Sequence, residues 1–225
     1  RLDASKRTLA EALKEQEYQT GAFVGAYVLS AKFGLNQGFD FYDDDFGKRE
    51  RVGGVVNLNQ LERPAAEVMR RAIQWIESTS NSPFFTWIHL YDPHDPYDPP
   101  APFKARFAGR PYDGEVAYVD QQVGRLVQLL KSKGLYDDTV IALTSDHGES
   151  FGEHGEFTHG YFVYDSTLLV PLIIKPTGSS FKNVVVAQQV RTVDLMPTLL
   201  QMLKVVSPAN LQGLSLLDLI AGKSG

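Results

Sequence analysis

The sequence predicts an α/β fold on a largely parallel sheet. Apolar runs of strand length alternate with amphipathic helical stretches. Two of those runs, at 84–91 and 139–144, end abruptly in long polar loops, as strands feeding a sheet-edge site do. With 225 residues, 43% of them hydrophobic, there is enough apolar material for one substantial core.

Ser5 is placed to cap a first helix, whose apolar positions Leu9, Ala10, Ala12 and Leu13 cluster on one side and which stops near Tyr18. Thr20–Val24 is a short strand. Leu29–Gly34 reads as one or two helical turns, and Gly38–Phe46 as an acidic aromatic loop. Asn59 precedes a helix over Glu62–Thr79 with Pro64 in its first turn and a stripe of Val68, Met69, Ala72, Ile73 and Ile76. Phe84–Tyr91 is aromatic and β-branched, a buried strand. A proline-rich loop, Asp92–Pro111, follows it. The long helix Gly114–Lys133 turns Val116, Val119, Val123, Leu126, Val127 and Leu130 inward, and Gly134 ends it. Thr139–Thr144, Leu168–Lys175 and Asn183–Val190 are further strands. Thr192–Leu203 is a helix, and a turn with a short apolar helix closes the chain.

Composition narrows the function. Net charge is −5, and no basic run or arginine-rich helix suggests nucleic acid as a partner. There is no cysteine, so disulfides and thiolate metal sites are excluded. No apolar run approaches the ~20 residues of a membrane span. No His-Glu-x-x-His or P-loop pattern occurs.

The chemistry concentrates in two loops. In the first, Asp146 and His147 stand where the strand 139–144 ends, offering a carboxylate and an imidazole to a metal ion. Adjacent strand residues point to opposite faces, so the backbone must bend for both to reach one ion; Gly148 permits that. His159 further along suits donation to an anionic oxygen or to a leaving group, given histidine's unperturbed pKa of ~6.5. His154 reads equally as a loop-ordering group, and Glu149 and Glu153 as supports for neighbouring side chains. In the second loop, Pro93, Pro96, Pro99 and Pro100 stiffen the backbone around His94, which suits rigid presentation to a substrate. His89, inside the strand pattern, ranks below it. Both loops follow strands, so Asp146, His147, His94 and His159 are expected at one edge of the sheet.

These residues carry a family resemblance. TSDHGESFGEHGEFTHG followed by YDSTLLVPLIIKP resembles the sulfatases of the alkaline-phosphatase-like superfamily. HLYDPHDPYDPP is similar to the family's substrate-histidine loop. TLAEALKEQEYQTGAFVGA, FGLNQGFDFY, VRTVDLMPTLLQML and LQGLSLLDLI resemble its other segments in order. The resemblance implies an α/β/α three-layer sandwich, incomplete at the N-terminus, with residues 1–225 a single partial catalytic domain. It implies a divalent cation held in part by Asp146 and His147, with calcium first and manganese, zinc or magnesium as alternatives. His94 then contacts the sulfate or its bridging oxygen, and His159 takes the leaving-group side, where a lysine is common in the family. The substrate that the resemblance implies is a small-molecule or glycan sulfate ester.

The family's nucleophile is a formylglycine made within a Cys/Ser-x-Pro-x-Arg motif, accompanied by paired aspartates. The Cys/Ser-x-Pro-x-Arg motif does not occur in this sequence, and the resemblance places it and its paired aspartates upstream of Arg1 in a longer parent. The parent is expected to be a sulfuric ester hydrolase, and the chain alone to be inactive. The alternatives are a phosphohydrolase or phosphonate monoester hydrolase of the same superfamily, and a non-catalytic pseudo-enzyme. Exposed sheet edges are expected to favour self-association. Periplasmic or secreted localisation follows from the resemblance alone.

Overall fold

A computed structural model describes residues 1–47, 62–79, 81–178 and 184–223. They fall into two compact units, Arg1–Ser132 and Lys133–Gly225.

The first unit opens with α1 (Leu9–Lys14). Thr8, not Ser5, caps it. The Thr8 hydroxyl accepts from the Glu11 N–H (3.1 Å), and the Glu11 carboxylate accepts from the Thr8 N–H (2.8 Å). Ser5 has no acidic residue three positions on and so cannot build this reciprocal box; its N–H bonds Asp3 instead. The helix is also shorter than expected, ending at Lys14 with Glu15 as its C-cap.

β1 (Gln19–Val24) is the central strand of a parallel three-stranded sheet, flanked by β2 (Phe41–Asp43) and β3 (Phe84–His89). β2 lies inside the segment expected to be loop. Its three residues pair with Gly21–Phe23, and its polarity misleads because Asp43 is neutralised within the fold. Between β1 and β2 the chain makes two 3₁₀ turns, Tyr27–Leu29 and Ala31–Phe33.

Helix α2 (Ala65–Thr79) begins after Pro64 rather than at Glu62; Asn59 lies outside the described residues. It buries Val68, Met69, Ala72 and Ile76, and Phe23 of β1 packs between Val68 and Ala72. Gly21 makes this approach possible, since a Cβ there would lie 2.8 Å from the Trp75 ring. Arg63 locks the ends of β1 and β2 together. It donates to the carbonyls of Val24 (3.2 Å) and Asp43 (3.0 Å) and to the Asp43 carboxylate (2.9 Å).

After β3 come the one-turn helix α3 (Phe103–Arg106) and the long α4 (Pro111–Ser132). Pro111 starts α4, where its missing N–H costs nothing. The buried face of α4 is not the expected valine stripe. It consists of Gly114, Glu115, Tyr118, Gln122 and Leu130, and Val116 is exposed. Tyr118 sits in a cluster with Ala65 and Phe103, which turns that polar-looking side of the helix toward α2 and the proline-rich loop.

In the second unit, β4 (Ile141–Thr144) pairs antiparallel with β7 (Leu172–Lys175). This departs from the parallel arrangement expected for the strand. The connection carries a two-residue hairpin, β5 (Ser150–Phe151) with β6 (Phe157–Thr158), and one turn of helix, α5 (Asp165–Leu168). It holds no crossover helix of the kind that joins parallel neighbours. The strand expected from Leu168 starts only at Leu172, because Leu168 closes α5 and Pro171 has no N–H to give. Residues 184–190 form no strand; Asn183 is outside the described residues. The 3₁₀ turn Thr192–Asp194 leads into α6 (Leu195–Met202), and α7 (Leu217–Ile220) follows. No helix among the described residues is long and apolar enough to cross a membrane.

Candidate active site

His94 belongs to the first unit. It stands two residues beyond Asp92 in the loop that leaves β3, and its ring stacks on Tyr91 with centroids 4.2 Å apart. Its Nδ1 lies 2.6 Å from the Asp95 carbonyl. A carbonyl only accepts, so Nδ1 carries the proton and Nε2 holds the lone pair of the neutral ring.

The loop around it is tied down at both ends. Asp92 accepts from the Ala65 N–H at the start of α2 (2.9 Å). Burial raises the Asp92 pKa, with this bond acting the other way. Asp98 donates its N–H to Glu115 Oε1 (2.8 Å). Burial pushes the Glu115 carboxyl up to about 7, and the nearby Asp92 and Glu62 carboxylates add to the rise; the backbone groups of Asp98 and His94 oppose it.

The second unit holds the other predicted residues. Beyond β4 the chain bends sharply. The Ser145 hydroxyl donates to the His147 carbonyl (2.7 Å), and Asp146 Oδ1 accepts from the His147 N–H (3.1 Å). Gly148 donates to the Thr167 carbonyl (2.9 Å). A Cβ on Gly148 would fall 2.1 Å from the Ser166 carbonyl oxygen. The glycine is thus required by the close approach of α5. The bend turns Asp146 and His147 toward each other, with Oδ1 3.9 Å from Nε2. His147 Nδ1 donates to the Gly148 carbonyl (2.8 Å), which again leaves the Nε2 lone pair for a ligand.

His159 joins this group. Its ring stacks on His147 with centroids 3.9 Å apart. Its Nδ1 lies 3.3 Å from Glu149 Oε1, on a side chain only 5% exposed. The backbone lifts His159 into place through two left-handed residues, Thr158 (φ 68°) and Gly160 (φ 102°). A β-branched residue in that region is strained, a feature that clusters at functional sites. Glu156 fixes the turn that follows by accepting the N–H groups of Tyr161 (3.1 Å) and Phe162 (3.0 Å). His154 stacks on Tyr164, its centroid 4.0 Å away, in a loop-ordering role. Glu153 accepts from the Ser150 hydroxyl and the Phe151 N–H within the hairpin.

The structure therefore brings His147, His159 and Glu149 together, beside Asp146. The donor set of Asp146 and His147, one carboxylate and one imidazole with its lone pair outward, fits part of a divalent-cation shell. Among the described residues no third His, Asp or Glu joins them in a metal-ligating cluster. Glu115 and Glu156 escaped the sequence reading. For Glu115 the signal was a glutamate spaced three and seven residues from Tyr118 and Gln122, on one helical face.

The chain is similar in sequence and fold to known proteins. The family model described as Sulfatase matches residues 2–205. An arylsulfatase of Clostridium perfringens is 34% identical over 112 residues, 48% of this chain and 23% of that protein. An N-acetylglucosamine-6-O-sulfatase of Bacteroides thetaiotaomicron is 36% identical over 107 residues, 48% of this chain and 19% of its own length. This chain thus spans a minor part of the curated relatives it matches. Among solved structures, the phosphonate monoester hydrolase SpPMH of Silicibacter pomeroyi superposes with a TM-score of 0.77 at 20% identity, covering 100% of this chain and 63% of that one. That likeness shows a shared α/β fold. With a family match across nearly its whole length, the chain belongs to the sulfatase family.

Proposed function

We propose that residues 1–225 form part of one catalytic domain whose parent protein hydrolyses sulfate esters. The observation that carries this reading is the Asp146–His147–Glu149–His159 group: two candidate cation ligands beside an imidazole backed by a buried carboxylate. Family members use a divalent cation. Asp146 and His147 would hold it here, with calcium as the ion, and it would offset negative charge on the sulfate oxygens.

Glu149 accepts from Nδ1 of His159, so the opposite nitrogen, Nε2, is the one turned to substrate. A proton held at Nε2 passes to the ester's bridging oxygen as the S–O bond breaks, and the alcohol departs neutral. Such general acid help is worth about 10²–10⁴-fold. His94, its Nδ1–H engaged with the Asp95 carbonyl, would donate to a sulfate oxygen from Nε2 when that nitrogen also carries a proton. The names of relatives such as the N-acetylglucosamine-6-O-sulfatase favour a sulfated sugar as substrate. The family's Cys/Ser-x-Pro-x-Arg motif does not occur among residues 1–225, and no attacking group is assigned among them.

The fold shared with a phosphonate monoester hydrolase keeps a phosphoryl substrate as the second reading. Rates of the full-length parent on paired aryl sulfates and aryl phosphates, with calcium or manganese, decide between them. A sulfate preference supports the proposal; a phosphate or phosphonate preference replaces it with the second reading; absence of both activities rejects it.

A further inference from the structure

We infer that Glu115 is the positioning residue for His94: its carboxylate, on the buried face of α4, fastens the backbone of the proline-rich loop and so sets where the imidazole stands. The inference rests on the reading of His94 as the sulfate-contacting histidine.

Glu115 is 5% exposed, on a helix face it shares with Tyr118, Gln122 and Leu130. A carboxylate is a costly choice for such a position unless something uses its charge or its acceptors. One oxygen, Oε1, accepts the Asp98 N–H at 2.8 Å. The other, Oε2, is buried and has no hydrogen-bond partner among the described residues, so packing alone does not explain the residue. The helix and the loop are pressed together at this point, where a Cβ on Gly114 would lie 2.8 Å from Pro99 Cγ.

The other end of the loop is held by Asp92 on the Ala65 N–H. His94 lies between these two ties. Pro93 and Pro96, on either side of His94 and Asp95, fix φ and leave the short span few ways to relax. The loop thus behaves as a stiff strap with two anchors. Removing one anchor lets the strap swing, and His94 moves with it. A misplacement of ~1 Å at a reacting group costs about 10²-fold in rate.

The test uses the full-length parent carrying His94→Ala, Glu115→Ala, Glu115→Gln and the His94→Ala/Glu115→Ala pair. The readouts are kcat and KM on an aryl sulfate and the ¹⁵N resonances of the His94 ring. Glu115→Ala is expected to lower kcat by about 10–100-fold with little change in KM and to shift the His94 ring resonances. Glu115→Gln keeps an oxygen acceptor for Asp98 and is expected to recover most of the rate. In the His94→Ala background, Glu115→Ala is expected to add no further loss.

An equal loss in that background, or unmoved His94 resonances, would overturn the inference. If His94→Ala itself leaves turnover unchanged, the role given to His94 fails, and the ring resonances alone then decide whether Glu115 positions it. Should Glu115→Ala not fold, Glu115→Asp replaces it: the charge stays, but the reach is one methylene short of Asp98, and the same losses are expected.

Discussion

Replacing Glu115 with glutamine should change how stability depends on pH. The Glu115 carboxyl is raised to about 7 by burial, with the Asp92 and Glu62 carboxylates adding to the rise. Its unfolded value is near the ordinary ~4.3 of a glutamate. A raised folded pKa means that the folded state binds the proton more tightly. The associated stability is therefore fully present below pH ~4.3 and is lost as pH rises through about 7. At 1.36 kcal/mol per pKa unit, the full loss amounts to about 4 kcal/mol, of which about 3 kcal/mol falls between pH 4.5 and pH 8. Glutamine carries no proton to lose, so the Glu115→Gln protein lacks this component. Thermal unfolding of both proteins from pH 4.5 to pH 8 is the assay. The wild type should lose ground steadily against the variant, by roughly 6–12 °C in Tm across the series at ~2–4 °C per kcal/mol. A Tm difference that stays constant over that range would refute the reasoning, because it would mean that Glu115 titrates alike in the folded and unfolded chains.

Three further outcomes follow from particular contacts. Arg63→Ala leaves the Asp43 carboxylate, 3% exposed, without its close partner, and chemical denaturation should register a loss of about 3–5 kcal/mol. Gly148→Ala sets a Cβ against the Ser166 carbonyl; the bend must open, and circular dichroism with ¹⁵N spectra of His147 and His159 should show their stacking lost while the first unit stays folded. In calorimetry the 225-residue chain should bind calcium only weakly, because two protein ligands fall far short of the ~6–8 oxygens that calcium takes. Asp146→Ala should abolish the remaining heat, whereas tight binding by the unaltered chain would point to ligands other than those named here.

Much of the architecture was legible in the sequence wherever one local rule acted alone. Alternation of apolar strand and amphipathic helix exposed β1, α2, β3 and α4, and the break after Thr144 exposed the Asp146–His147 bend. The errors arose where distant groups decided. Phe41–Asp43 looks like loop because its acidity is visible, and the Arg63 that neutralises Asp43 is twenty residues away. The buried face of α4 runs through Glu115 and Gln122 rather than the valines, since Ala65 and Phe103 pack on that side through Tyr118. Ser5 and Thr8 are both sound caps, and only the glutamate three residues after Thr8 chooses between them. At the site, residue types revealed His147 and His159, but their stacking depends on Glu149 and on the left-handed backbone at Thr158 and Gly160, which no spacing rule supplies.

The role of His159 as proton donor to the departing alcohol is tested most directly by leaving-group dependence. The full-length parent and its His159→Ala variant would be assayed on a series of sulfate esters, from 4-nitrophenyl sulfate to sulfates of weakly acidic alcohols. A good leaving group needs no proton, whereas a poor one does. The variant should therefore lose about 10²–10⁴-fold on the poor leaving groups and far less on 4-nitrophenyl sulfate. An equal loss across the whole series would contradict proton donation by His159.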